Sequence, residues 1–575
     1  MKTMNKTLRQ STKIALPDFA VVKEVKVTAK IQIEGLWLLL SLVIGLSYSA
    51  YMLGWDFISN VSNLLFISDD MQQHFLGWHL FRYDQWYWPL TLTNRLQYPL
   101  FTSIVYTDSF PLLSIILKML SPLLSPIFIW HGLVAVVNCS LQFYFGSLIL
   151  RRLRNDKYLA VIGGLFFVFS TALAYRLFKH YTLTSHWLIL WSIALVLQPK
   201  IRKSELRQNL VILFLASGTH AYILMMNMLL SIGLLYKYIW QNDKNKLQLL
   251  IAEVVKFVIV VSLSLYLFGY FTLGAKSSGS TGWGDFSFNL NSWFNSLNYS
   301  TFIPGLPVFG GQAQESCQYL GLGLIIALIC AGVNFIYCRY SNKDKINLAP
   351  YLGLVLVCIL FMLISISTVI TFNDTVLLDI GNLFTSEIFT KFFAMVRSSA
   401  RFSWPVFYLV MLGAIIGSYD LLARYKQWLA WLVLSVLLLI QVADLYKLRQ
   451  DLQQMVANNL ARPTWDADLR SPFWQNLHNY QHLIDLFPHQ QVVDNTYESY
   501  YKFGNLAARY SLTINLFYLS RGYNTEYQQQ VMDFVNGNWG ASDIYIVPDQ
   551  ILALANPQIL PYCRQIDGYN VCVRN

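Results

Sequence analysis

Two adjacent acids, Asp69 and Asp70, head the run Ile67-Ser-Asp-Asp-Met-Gln-Gln-His-Phe-Leu-Gly-Trp-His-Leu-Phe-Arg82, about 15 residues after the first long apolar stretch. A carboxylate placed just outside a membrane can take the proton of an attacking hydroxyl. It can equally hold a divalent cation, Mg or Mn, against a lipid-linked phosphate. The same acids also suit the N-cap of a helix over 71–82, and one can cap while the other reacts. Phe75, Leu76, Trp78, Phe81, Trp86 and Trp88 predict an amphipathic stretch lying in the interface, its rings at headgroup depth.

Other groups could complete such a site. Asp108, in Tyr-Thr-Asp-Ser before Pro111, reads either as the N-cap of the next apolar helix or as a second acid facing the same cleft. Arg397 and Arg401 are spaced i, i+4; on a helix they would share a face and bind a phosphate bidentately, or else serve headgroup snorkelling or a loop salt bridge. Arg176, Lys179, His180 and His186 surround a short turn, where the histidines would contact a pyranose or phosphate or simply bond between helices. His220 and Tyr222 sit at a break in an apolar run, and broken backbone at membrane depth is tolerated where it borders a cavity. Gln312 and Glu315 close a Gly-rich loop of the kind that covers sites, although a solvated loop is the simpler expectation.

The elements that must hold these residues are mostly lipid-soluble. The chain has 575 residues, 55% hydrophobic and only 13% charged, against roughly 25% charged in soluble domains. Apolar runs fall near 34–53, 126–150, 158–175, 184–199, 208–219, 220–238, 249–272, 319–338, 349–370, 404–423 and 427–446. The expected fold is an all-α polytopic membrane bundle of about eleven transmembrane helices with a small C-terminal α+β periplasmic domain. Residues 1–33 read as a cytoplasmic tail without a cleavable signal peptide. Residues 34–446 read as the membrane domain, and 447–575 as the periplasmic one.

The net charge of +11 reflects topology rather than nucleic-acid binding, for which no motif appears. With the N-terminus inside, the cytoplasmic segments hold 23 Lys and Arg, while the opposite loops hold 9 over much longer sequence. The positive-inside rule therefore puts the loops 54–125, 273–318 and 371–403 outside a bacterial inner membrane, together with the C-terminus. This also argues for two passes in 208–238 rather than one; a single helix would separate the two halves of the proposed site. In the C-terminal segment, 498–509 and 525–537 read as helices and 544–547 and 571–573 as strands. Cys563 and Cys572 flank the turn signal Asp567-Gly568, so a disulfide across a hairpin is expected.

One acidic motif in the first outer loop of a chain with many spans and a C-terminal outer domain resembles the GT-C superfamily of glycosyltransferases. Asp70-Met-Gln-Gln-His74-Phe-Leu-Gly-Trp78, Tyr98-Pro99, Ser103-Ile104, Tyr106-Thr-Asp108-Ser109, Gly321-Leu-Gly323 and Arg397-Ser-Ser-Ala-Arg401-Phe-Ser-Trp-Pro405 resemble, more specifically, a bacterial family of mostly uncharacterised GT-C-like membrane proteins. Many of its members have Gly at the position of Ala400. Related enzymes glycosylate type IV pilins. The resemblance implies a polyprenyl-phosphate sugar donor and an acceptor that is a protein such as pilin, a glycan or a lipid, with membrane lipids around both. It implies Asp70 as base or metal anchor with Asp69 assisting, Arg397 and Arg401 on the donor phosphate, and single-displacement inversion. A transporter or lipid flippase, and a non-catalytic envelope assembly protein, are the alternatives; the first would place its contacts near the bilayer midplane, often within internal repeats.

Overall fold

The computed structural model describes residues 19–64, 70–242, 245–272, 282–315, 317–340, 347–461, 463–487, 497–517, 519–520 and 525–574. Asp69 lies outside the described residues. Each of the eleven expected spans meets a helix, but their lengths divide them. Eight helices among the described residues are long and apolar enough to cross a membrane: Gln32–Leu53, His131–Arg154, Ala221–Trp240, Lys246–Leu267, Leu322–Tyr340, Ala349–Ile366, Ser399–Ala423 and Gln427–Asp444. Leu36, Leu39, Val43, Ile251, Val255, Ile259, Ile329, Val333, Leu356 and Leu363 on these helices are exposed apolar residues in rows, which suit lipid and not water. The chain is a multi-pass membrane protein.

The other three helices are Lys157–Val168, Trp187–Val196 and Lys203–Ser217, of 12, 10 and 15 residues. At 1.5 Å per residue they reach about 15–22 Å, short of the roughly 30 Å hydrocarbon core. Of the about eleven transmembrane helices expected, eight among the described residues reach spanning length. Residues 169–175 and 184–186 are expected as ends of apolar helices, but the whole stretch 169–186 forms a four-residue helix, turns and a 3-10 segment. Their side chains are almost all buried, so protein rather than lipid satisfies this irregular backbone.

The break at Gly218-Thr219-His220 is a true turn. The Ser231 hydroxyl donates to Asn209 Oδ1 at 2.9 Å. These residues lie about equally far on either side of the turn, so Lys203–Ser217 and Ala221–Trp240 form an antiparallel hairpin, and the single-helix alternative fails. At the far end of the bundle from this turn, Arg151 pairs with Glu34 at 3.1 Å and Arg154 with Asp420 at 2.5 Å. Asp156 there accepts from Tyr419, Gln427 and Trp431 at 2.6–2.9 Å. The helix ends that carry most of the cationic loops are therefore tied together.

The opposite end carries the irregular segments. The helix Asp70–Arg82 was expected at the interface, yet Phe75, Leu76, Trp78 and Phe81 are at most 1% exposed. One side packs on the 3-10 turn Ile104–Thr107: a Cβ on Gly77 would overlap Thr107 Oγ1 and Ser109 Oγ, so only glycine admits the crossing. The other side is covered by the C-terminal helix Tyr497–Tyr510, where Gln72 bonds Asn505 and Gly504 meets Leu76.

Residues 282–315 are anchored by the end of the last span. Asp444 Oδ2 accepts from Leu322 N at 2.8 Å, its carbonyl from Thr301 N at 2.7 Å, and its carboxylate also bonds Ser300. Gly321 has φ +89°, and a Cβ there would collide with the Gln441 amide that binds Leu320 O and Leu324 N. This accounts for the glycine in Gly321-Leu-Gly323.

The C-terminal segment is a small α+β unit, with the two expected helices at Tyr497–Tyr510 and Thr525–Val535. Its five-stranded sheet runs in the order Thr513–Ile514, His482–Asp485, Asp543–Val547, Tyr569–Cys572, Cys563–Ile566. The first three strands are parallel and the last two form an antiparallel hairpin, with Cys563 opposite Cys572 and disulfide-bonded to it. The hairpin Leu92–Gln97/Leu100–Ser103 reaches this unit: Tyr98 N donates to Ile514 O at 2.9 Å, and the Tyr98 ring stacks on His482 at 3.9 Å. The helix Tyr446–Ala461 ties the unit to the first span, Arg449 Nε donating to Tyr51 O at 2.8 Å.

Candidate functional site

Two cavities open at the irregular end of the bundle, and both are lined by His180. The smaller, about 390 Å³, is bordered by Asp70, Arg176, Lys179 and Glu315. The larger, about 670 Å³, is bordered at its polar end by Asp108, His220, Tyr222, Arg397 and Arg401. It continues between helices past Leu224, Met225, Met228, Leu265 and Phe271. Side chains from the first loop, the 176–186 turns, the 218–220 break and both later loops thus meet at one place.

Asp70 is the first residue of its helix, and its Oδ2 lies 3.3 Å from His180 Nδ1. Burial, reinforced by the Arg401 and Arg176 charges, holds the His180 imidazole well below its ordinary pKa. At neutral pH the ring in this contact is therefore neutral.

Glu315 is the electrostatic hub. Arg401 grips it with Nε–Oε2 at 2.8 Å and Nη2–Oε1 at 2.6 Å, while Arg176 Nη2 donates to Oε2 at 2.6 Å. All three side chains are buried. Burial alone would raise the Glu315 carboxyl, but the Arg176 and Arg401 charges outweigh it and hold it well below the usual carboxylate range. The triad carries a net positive charge. The expectation of a solvated Gln312 and Glu315 is reversed: Gln312 is fully buried, bonded to Asn289, Ser287 and Thr371 at 2.8–3.0 Å.

Arg397 and Arg401 do not share a helical face. The helix Glu387–Met395 ends before Arg397, and Arg401 sits in the 3-10 turn Ser399–Ser403. Both still line the larger cavity, in unlike states. Arg401 is committed to Glu315 and stacked over Tyr222 at 4.8 Å. Arg397 is exposed and, among the described residues, has no hydrogen-bonded or ion-paired partner. The Ser398 amide donates to Tyr222 Oη at 3.0 Å and Ala400 N to Phe286 O at 3.1 Å, which fixes the segment that presents Arg397.

Asp108 does not cap the helix Pro111–Met119, whose N-cap position is Phe110. It adopts φ 53°, a left-handed conformation that Asp tolerates better than most residues, and turns its carboxylate into the larger cavity. Its Oδ1 lies 3.7 Å from His220 Nε2, while His220 Nδ1 accepts the Tyr222 amide at 3.1 Å. That amide bond assigns the neutral ring's proton to Nε2, facing Asp108. Burial and then the nearby Asp70 charge push the Asp108 carboxyl up to about 6, with Arg401 and Arg397 opposing.

Two candidates leave the site. His74 is fully buried against Trp130 and His131, with ring centroids 6.4 and 6.1 Å away, and burial lowers its pKa to about 3. His186 is fully buried and bonds Tyr408 Oη at 2.6 Å, a bond between helices. Neither borders either of these two cavities. Conversely, Tyr270, Phe271 and Ser520 line the larger cavity and Gln314, Met455, Asn458 and Asn459 the smaller, with no local pattern in the chain to mark them. Among the described residues no three His, Cys, Asp or Glu side chains gather as metal ligands.

A mostly helical, multi-pass membrane protein with a charged, two-chambered cleft at one end of its bundle is the class that this architecture defines. Residues 42–446 match the domain of unknown function DUF6311, and residues 473–574 match the DUF6311 C-terminal domain; the chain belongs to the DUF6311 family. No curated protein matches it. Among solved structures, the crystal structure of the Archaeoglobus fulgidus oligosaccharyltransferase in the apo form is similar at 12% identity and a TM-score of 0.36. That likeness covers 84% of this chain and 64% of the other, so the chain spans less than two thirds of that enzyme's length. A score that low carries no argument about activity.

Proposed function

We propose that the chain is a GT-C-like membrane glycosyltransferase, which moves a sugar from a polyprenyl-phosphate donor to an acceptor hydroxyl on a protein such as pilin, a glycan or a lipid. The observation that carries this reading is the paired cleft. An acid, Asp70, lines one chamber, and an uncommitted Arg397 with His220 lines the other, whose far end is walled by apolar side chains that suit a lipid tail. Phosphate would rest against Arg397 and the net-positive Arg176–Glu315–Arg401 triad, and the tail would run past Met225, Met228 and Leu265. The acceptor oxygen attacks the anomeric carbon while Asp70 takes its proton. The bond from that carbon to the phosphate oxygen breaks, and polyprenyl phosphate leaves with its charge held by the guanidinium groups. One displacement inverts the anomeric centre.

The cleft is proposed to face the periplasm across a bacterial inner membrane. Support comes from the excess of Lys and Arg at the other end of the bundle and from the Cys563–Cys572 disulfide, which suits an oxidising compartment. Gathering the charged groups at one end favours an interfacial enzyme over a carrier with a midplane site. A divalent cation would have to be held by Asp70, with Asp69, and by donor phosphate oxygens. Loss of turnover in EDTA, restored by Mg or Mn, tests that, and no step above depends on it.

The deciding experiment compares envelope proteins and glycolipids by intact mass in cells with and without the gene. Disappearance of a hexose- or pentose-sized increment is expected, restored by the wild type and not by Asp70→Asn. An unchanged glycome alongside altered solute uptake would sink the proposal.

Two further results are expected of the donor chamber. Arg397→Ala should raise KM for the donor about 10–100-fold, the worth of a hydrogen bond to a charged group, with little change in stability because the side chain is exposed. Donor titrations on the purified variant check this. Asp108 sets the pH dependence: its carboxyl, raised to about 6, is mainly ionised at pH 7.5 and mainly protonated at pH 5.5. The ionised form repels a phosphate, so donor KM should fall as pH drops through 6. Asp108→Asn should flatten that profile, and a variant profile identical to the wild type would contradict this role.

A further inference from the structure

The smaller chamber differs in chemistry from the larger one. Beyond Asp70, His180 and the Arg176–Glu315 pair its wall comes from Lys179, Gln314, Asn458 and Asn459, with Phe178 and Met455 as its apolar surface. Asn459 is 7% exposed, and its Nδ2 has no hydrogen-bond partner among the described residues. A buried amide donor without a partner is costly, and a bound group that accepts its hydrogen bond removes the cost. Asn458 Oδ1 already accepts from Gln454 Nε2 at 2.8 Å, which orients the side chain and leaves its NH2 to donate. Lys179 Nζ donates to Tyr175 Oη at 3.2 Å and keeps two further protons.

We infer that this chamber binds the acceptor, and that the acceptor is a carbohydrate: a pyranose-sized polyol whose nucleophilic hydroxyl points at Asp70. Planar amides and an ammonium match neighbouring hydroxyls, which both give and accept hydrogen bonds. Phe178 and Met455 provide a face for the C–H side of a sugar ring. The volume of about 390 Å³ lies at the low end of the roughly 300–1,000 Å³ of small-molecule sites. Its size suits a ring better than an extended peptide. Gln314 and the Asn458–Asn459 pair come from different segments, an outer loop and the helix Tyr446–Ala461, so the chamber exists only once that helix has packed beside the loop. The inference rests on the glycosyltransferase reading for its direction of transfer, but the sugar site can be tested without it.

The test uses the full chain in lipid nanodiscs, since maltoside and glucoside detergents carry the ligand's own chemistry. Saturation-transfer NMR with a panel of methyl pyranosides should give signals for at least one. Gln314→Ala and Asn458→Ala, both at exposed positions, should each weaken that binding about tenfold, as should Asn459→Asp. A Ser/Thr-containing peptide should give no signal that these variants remove. Comparing a soluble oligosaccharide with the same sugar on a lipid tail tells a glycan source from a glycolipid source. In parallel, binding of undecaprenyl phosphate is followed by native mass spectrometry in wild type and Arg397→Ala. If the lipid phosphate binds but pyranosides do not, or bind undiminished in all three chamber variants, the sugar site is overturned and the donor reading stands. If pyranosides bind as described while the lipid phosphate does not bind, the donor reading fails and the sugar site stands.

Discussion

Asp70→Asn should abolish measurable transfer, lowering kcat about 10²–10⁴-fold, the usual worth of a positioned general base, while donor KM stays within about twofold. Asn keeps the shape of the side chain and an oxygen for the His180 contact at 3.3 Å, so folding should be unaffected. The chain offers a built-in comparison in Asp108, an acid in the adjoining chamber that faces the phosphate and not the acceptor. Its Asn variant should alter KM and its pH profile, with a smaller change in kcat. Single-turnover transfer on the purified variants, followed by mass, separates the two. Retention of wild-type kcat by Asp70→Asn would remove the acid from the chemistry altogether and leave the non-catalytic assembly reading as the better one.

The second large effect is on stability. Glu315→Gln would leave Arg176 and Arg401, 2% and 7% exposed, facing each other across a neutral amide. Removing one partner of a buried ion pair costs about 3–5 kcal/mol because the remaining charge is left uncompensated. Two remaining guanidinium groups place this case at the upper end, so sharply lower thermal stability by size-exclusion monitoring is expected. Replacing all three with Met should recover much of that loss, since apolar residues of similar volume often substitute for a buried ionic network without penalty. The recovered protein should still bind donor poorly, because the net positive charge behind the phosphate is gone. A Glu315→Gln variant as stable as wild type would show that the triad does not hold the loop. These costs are not additive with those of Arg397→Ala, since both alter the same field.

Part of this was legible from local pattern. Asp70 and Arg397 stand out because an acid or an Arg beside an apolar stretch is costly unless it is used, and neither needed a distant residue to be noticed. The hairpin at Gly218-Thr219-His220 was legible from the charge count alone, because one long helix would have put cationic loops on the wrong side. The disulfide followed from two cysteines around an Asp-Gly turn.

Other expectations failed for reasons that no short window contains. His74 and His186 have the right chemistry but the wrong direction; each side chain turns away from both cavities and is fully buried. Phe75, Trp78 and Phe81 look interfacial but are buried: Trp78 Nε1 donates to Phe128 O and the Lys118 ammonium lies over the Phe81 ring, while Tyr497–Tyr510 closes the Gln72 and Leu76 side from more than 400 residues away. Residues 169–175 and 184–186 fall in apolar runs that read as helix, and only burial in protein lets this stretch be turns. Arg401 looked like a ligand equivalent to Arg397 until Glu315 took it.

What the sequence determined by itself was the solvent and the polarity of the chain: which segments enter lipid, which loops share an end, and that an acid opens the first of them. Those properties are sums of local transfer free energies and charges, and they do not depend on which helix lies beside which. What the tertiary structure alone decided was which of the polar residues meet. The two chambers on either side of His180, the sharing of Glu315 between two arginines and the freedom of Arg397 all depend on contacts across more than 80 residues of chain. Such contacts form only after packing has paid the entropy of closing long loops, a term that composition and periodicity do not record.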